Sequence, residues 1–171
     1  MKAVVVYESH WGNTEAIARA IAEGIGPDAV PLTTDAARPE LIADADLVVA
    51  GAPVLGFSLP TERMVESLIN QAGSPPADVA HAPLRTWLES LPAGRALHAA
   101  FETRIRWSPG GATGAIDRAF EAAGYPKAAD AQKFVVSGKF GPLREGELER
   151  ARAWGAALAV KARERAASVP A

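Results

Sequence analysis

Residues 2–22, KAVVVYESHWGNTEAIARAIA, constrain this chain more than any other stretch. An apolar run, Val4-Val5-Val6-Tyr7, stops abruptly at Glu8-Ser9-His10-Trp11-Gly12-Asn13-Thr14. Ile17, Ile21 and Ile25 then recur at i, i+4 and i+8, the spacing of one helix face. A continuous Val run suits a parallel strand covered on both faces, and Gly12-Asn13-Thr14 supplies a break and a helix start. The sequence thus predicts a buried strand, a short polar loop and a helix N-terminus.

That geometry suits phosphate. Backbone N–H groups without partners in a first helical turn converge with the positive end of the helix dipole. Gly12 lets the backbone approach a ligand closely, and Ser9, Asn13 and Thr14 can donate to its oxygens. With no Lys or Arg inside the loop, the donors there are neutral. The pattern Val5-Val6-Tyr7-x-Ser9-x-x-Gly12-x-Thr14-x-x-x-Ala18-x-x-Ile21 resembles the phosphate-loop signature of the flavodoxin-like family. Trp11 departs from it, standing where a hydroxyl residue is usual; flavodoxin-like quinone reductases tolerate an aromatic there.

Further along, Gly24-Ile25-Gly26-Pro27 ends the first helix, and Ala29–Leu32 reads as a second strand. Pro31 cannot donate to a ladder, which places that strand at a sheet edge. Residues 38–44 predict a short helix, Asp46–Gly51 a third strand, Thr61–Gln71 and Leu84–Leu91 helices, and Gly73–Ala77 a flexible surface segment. Ala96–Phe101 reads as the fourth strand, followed by a polar turn over Glu102–Trp107. A helix from Thr113 to near Gly124, a fifth strand at Phe134–Ser137 and a closing helix over Arg144–Arg165 complete the chain. Strands alternate with helices, so residues 1–171 read as one doubly wound α/β domain. The resemblance implies a five-stranded parallel sheet in the order 2-1-3-4-5 with helices on both faces, in which the second strand lies at an edge, as Pro31 requires.

In such a sheet, ligands sit beyond the carboxyl ends of the strands where the strand order reverses. Three loops meet there: Ser9–Thr14 with its phosphate donors, Pro53-Val54-Leu55-Gly56-Phe57 with apolar and aromatic side chains, and Glu102-Thr103-Arg104 through Trp107. The resemblance implies a flavin mononucleotide (FMN) site built from these residues, His10 contributing through its backbone. Trp11, Phe57 and Trp107 are the candidates to flank the ring, where aromatic contacts are worth about 0.5–1.5 kcal/mol each. Gly56 would permit a peptide rearrangement beside the ring, and Arg104 or Arg106 would stabilise a reduced, anionic flavin. No side chain is required as acid or base.

Composition narrows the functions. There is no cysteine, which excludes disulfides, thiolate catalysis and cysteine-ligated metal. His10, His81 and His98 have no ligand spacing, so no metal is expected. A net charge of −2 with mixed signs offers no nucleic-acid face and no membrane anchor, and no apolar run reaches the about 20 residues needed to span a bilayer. The expectation is a cytoplasmic protein, a monomer or weak homodimer. Dedicated electron carriers of the resembled family are strongly acidic, and near-neutral charge provides little steering toward a basic partner. The two functional readings are an FMN flavoprotein, serving a redox partner protein or a small-molecule electron donor or acceptor, and a flavodoxin-fold protein that has lost FMN, motivated by Trp11 and Val54. A phosphoacceptor receiver domain would use a Lys after the last strand (Lys139) but needs an Asp after the third, where Ala50-Gly51 stand. A serine hydrolase would need a G-x-S-x-G elbow, which is absent.

Overall fold

The Val run becomes a strand because both its faces are covered. In the computed structural model, which describes residues 1–69 and 71–168, β1 (Ala3–Tyr7) is buried along its whole length. Ala3, Val5 and Tyr7 face one apolar layer, and Val4 and Val6 the other. The same alternation continues in β3 (Leu47–Pro53) and β4 (Leu97–Ile105). With β2 (Ala29–Thr33) and β5 (Gln132–Val136) they form an all-parallel sheet in the order β2-β1-β3-β4-β5. β2 lies at the edge, where a proline is tolerated, and Pro31 sits opposite Val5.

Two helices cover one face: α1 (Asn13–Ile25) and α6 (Glu147–Ser168). The other face is covered by α2 (Pro39–Ala43), α4 (Leu84–Glu89) and α5 (Thr113–Ala122). α3 (Glu62–Glu66) is a short turn of helix whose N-terminus is capped by the Thr61 hydroxyl, 3.3 Å from the Met64 amide. The helix predicted over 61–71 is thus shorter than expected, and Asn70 lies outside the described residues. So do 169–171. Among the described residues, no helix is long and apolar enough to cross a membrane.

The largest difference from expectation is at β4. A polar turn was expected from Glu102, yet the strand continues to Ile105, with Glu102, Thr103 and Arg104 all buried. Pleating explains it. Glu102 and Arg104 project to the same side and neutralise each other: Arg104 Nη1 donates to Glu102 Oε1 at 2.8 Å. Thr103 projects to the opposite side, where its hydroxyl meets that of Thr14 at 2.7 Å. A buried charged strand segment is stable when its charges are paired and hydrogen-bonded.

Candidate functional site

The loop after β1 ends in a left-handed residue. Gly12 has φ 84° and no neighbouring atom where a Cβ would stand, so the backbone there is open to a ligand. The first backbone bond of α1 runs from the Ala16 amide to the Gly12 carbonyl, and no side chain caps the helix. The amides of Asn13, Thr14 and Glu15 therefore have no acceptor within the helix and point out from its positive end. Beside them, the Ser9 hydroxyl is buried without any hydrogen-bond partner. A buried polar atom left unpaired costs about 1–3 kcal/mol, which a ligand oxygen at this position would recover.

A cavity of about 70 Å³ lies at this point, beyond the ends of β1, β3 and β4. Its wall is formed by Ser9, His10, Trp11, Asn13 and Thr14 from the first loop, Pro53, Val54 and Leu55 from the second, and Thr103 and Arg104 from the end of β4. The cavity's volume is well below the about 300–1,000 Å³ of sites that enclose a whole small-molecule ligand, so the enclosed space suits a small polar group such as a phosphate.

Five of the expected residues stand elsewhere. Gly12 shapes the backbone without lining the cavity. Gly56 and Phe57 form the tip of a tight reversal in which the Leu55 and Ser58 amides and carbonyls exchange hydrogen bonds. Both tip residues have positive φ, 51° and 67°, as a type I′ turn demands. Phe57 is 61% exposed at that tip. Glu102 does not face the site: its Oε2 accepts from the Ala112 and Thr113 amides at 2.6 and 3.0 Å, capping α5, while Oε1 holds Arg104. Trp107 is 82% exposed under the Arg106 guanidinium, and it lines a neighbouring groove. Trp11 reaches the cavity but is anchored sideways, its indole N–H donating to Pro75 at 3.3 Å and its edge packed on Phe140.

No family model matches the sequence, and no curated protein matches it. Solved structures do. A flavodoxin from the domain Archaea superposes with a TM-score of 0.69 at 22% identity, over 95% of this chain and 99% of its own. Flavodoxin from Megasphaera elsdenii gives 0.60 at 20% identity, over 92% and 98%. The Flv1 flavodiiron core of Synechocystis sp. PCC6803 gives 0.66 at 21% identity, over 96% of this chain and 36% of that one. The fold is that of the flavodoxins.

Within this flavodoxin fold, the first loop is held from below by a polar cluster that sequence reasoning missed. Glu8, fully buried, accepts from the Leu84 amide at 2.8 Å and meets His10 Nε2 at 2.9 Å. The His10 Nδ1 lies 2.7 Å from the Asp78 carbonyl. Both ring nitrogens face oxygen acceptors, an arrangement the imidazolium satisfies. His81 stacks on His10 at 5.8 Å, and its Nε2 accepts the Ser9 amide at 3.2 Å. In the segment 73–77 the Pro75 carbonyl accepts the Trp11 indole N–H, and just beyond it the Asp78 amide donates to the His10 carbonyl. His10 therefore acts through its ring, not only its backbone. No local signal announces this, because Glu8 and His10 are only two apart while Asp78 and His81 are about seventy residues away.

Burial works against protonating His10. The hydrogen bond to Glu8, the Asp78 carbonyl and the Glu8 charge outweigh it and raise its pKa above the usual histidine value. The folded protein thus holds this proton more tightly than the unfolded chain. Its contribution is complete below the unfolded pKa and is lost as pH rises through the folded one. His10→Gln should lower stability by about 1.5–3 kcal/mol in mild acid, because Glu8 loses a charged partner. The difference from wild type, measured by urea unfolding, should narrow as pH rises from mild acid past the ordinary histidine value. A gap that stays constant across that range would contradict a charged His10.

Proposed function

We propose that this protein binds FMN and serves in electron transfer or in a small flavin-dependent reduction, with a redox protein or a small molecule as its partner, and that it works as a soluble monomer or weak homodimer. The observation that carries the reading is the unpartnered Ser9 hydroxyl, buried beside the open amides of α1. In this reading the amides of Asn13–Glu15, the Ser9 hydroxyl and the Thr14–Thr103 hydroxyl pair hold the phosphate. Pro53, Val54 and Leu55 support the ring, and the Gly56-Phe57 tip flanks it. Bound FMN would supply one- and two-electron redox chemistry, which no side chain here provides. The residues of the chain fix the cofactor's position and keep water from one of its faces.

Arg104 has a narrower role than the sequence implies. Its guanidinium already donates to Glu102 and to the Gly110 carbonyl at 3.1 Å, so its charge is largely compensated before any flavin arrives. A flavin-free role for the fold has its own support in the Ser9 amide bound to His81 and in Trp11 at the cavity wall. Titrating the purified protein into FMN separates the two. Quenching of flavin fluorescence with one site per chain is expected, and Ser9→Ala with Thr14→Val should weaken it by about a hundredfold, roughly 1.4 kcal/mol for each hydroxyl removed. A colourless protein that leaves FMN emission unchanged would remove the redox assignment.

A further inference from the structure

Two charged side chains besides Lys139 line the phosphate-sized cavity, and each is already neutralised by a buried carboxylate. His10 is paired with Glu8 and Arg104 with Glu102. Neither brings a free charge to a dianion. Lys139 also lines the cavity, and it differs from both. Its ammonium donates to the neutral amide oxygen of Gln71 at 2.6 Å and lies 5.3 Å from the Phe140 ring. Among the described residues, no carboxylate forms an ion pair with it.

Its backbone is fixed at the right place. β5 ends in a reversal in which the Ser137 amide donates to the Pro142 carbonyl and the Gly141 amide to the Gly138 carbonyl. The Phe140 carbonyl at the tip of that reversal accepts from the Asn13 side chain at 3.1 Å. Lys139 is thus carried by a turn docked directly onto the first residue of α1, whose amides open toward the same cavity as the unpartnered Ser9 hydroxyl.

We propose that Lys139 is the counter-charge of this site, its ammonium leaving Gln71 to bind the oxygens of a phosphate monoester seated on the N-terminus of α1. The inference rests on the FMN reading for the identity of the ligand, though not for the presence of a phosphate site. A loop of neutral donors then gains one charge from a residue about 125 positions away in sequence, across the fold. A charge-assisted contact of this kind favours the dianion over any uncharged analogue.

The test compares FMN with riboflavin, which lacks the phosphate, by fluorescence titration of wild type, Lys139→Met and Lys139→Arg. The preference of wild type for FMN should fall about tenfold in Lys139→Met and return in Lys139→Arg, with riboflavin binding unchanged throughout. In parallel, inorganic phosphate should raise the thermal midpoint of wild type more than that of Lys139→Met. An FMN preference and a phosphate response that are both the same in wild type and Lys139→Met would overturn the assignment, as would a wild type that responds to neither phosphate nor FMN. If neither flavin binds but the phosphate response still depends on Lys139, the FMN reading falls and the counter-charge stands.

Discussion

Glu102→Ala is expected to destabilise the protein by about 3–5 kcal/mol, the range for removing one partner of a buried ion pair. The size follows from what this one carboxylate holds. Oε1 compensates the Arg104 guanidinium, which is only 8% exposed and would be left as a buried charge with the Gly110 carbonyl as its remaining acceptor. Oε2 closes the N-terminus of α5, whose cap position is Ala112 and has no side chain to do so. Glu102→Gln keeps a hydrogen-bond acceptor for the helix and should cost less than Glu102→Ala. Replacing both Glu102 and Arg104 by Leu should cost less than the two single replacements added together, since neither charge is then stranded. Chemical denaturation of Glu102→Ala, Glu102→Gln, Glu102→Leu, Arg104→Leu and the double Leu variant measures this. Additive losses would show that the two side chains are not coupled and that the pair is incidental to the strand.

That same segment marks the limit of what the sequence discloses. The order of elements was legible because it depends on short-range signals: the Val run of β1, the i, i+4, i+8 isoleucines of α1, the Gly-Pro stop after it and Pro31 in the edge strand. A stretch reading Glu-Thr-Arg has the opposite local signature, that of a solvated turn. It becomes strand because Glu102 finds Arg104 beside it and two amides ten and eleven residues ahead. The candidate site divides in the same way. Ser9, Asn13 and Thr14 could be placed at the cavity wall from the loop pattern after the Val run, and Val54 and Leu55 from the strand order. Lys139, Asp78 and His81 join the loop through contacts spanning about 70–130 residues, and Trp107 leaves it because the strand before it is longer than its composition suggests.

Gly155→Val should be the second severe change, lowering stability by about 3 kcal/mol and weakening flavin binding with it. α6 presents Ala151, Gly155, Leu158, Ala159 and Ala162 as its buried stripe, a face small enough to let two backbones approach. A Cβ on Gly155 would stand 2.2 Å from the Ile21 carbonyl oxygen of α1. Reciprocally, a Cβ on Gly24 of α1 would stand 2.0 Å from the Arg152 carbonyl oxygen of α6. Both obstacles are main-chain atoms, so relief requires one helix to move away from the other, and overpacking of this kind costs about 1–3 kcal/mol or more. Helix propensity pulls the other way: removing a mid-helix glycine gains about 1 kcal/mol for alanine. Gly155→Ala therefore decides the sign, with a net loss expected if the α1–α6 crossing governs and a net gain if propensity does. Val160→Ala, at a half-exposed position of the same helix, is the control and should change little. The functional consequence follows from geometry, because α1 is both the helix that α6 presses against the sheet and the helix whose first turn forms the proposed phosphate cradle. Shifting it displaces Asn13 and Thr14 relative to Ser9 and Thr103, so FMN affinity should drop in Gly155→Val and remain unchanged in Val160→Ala.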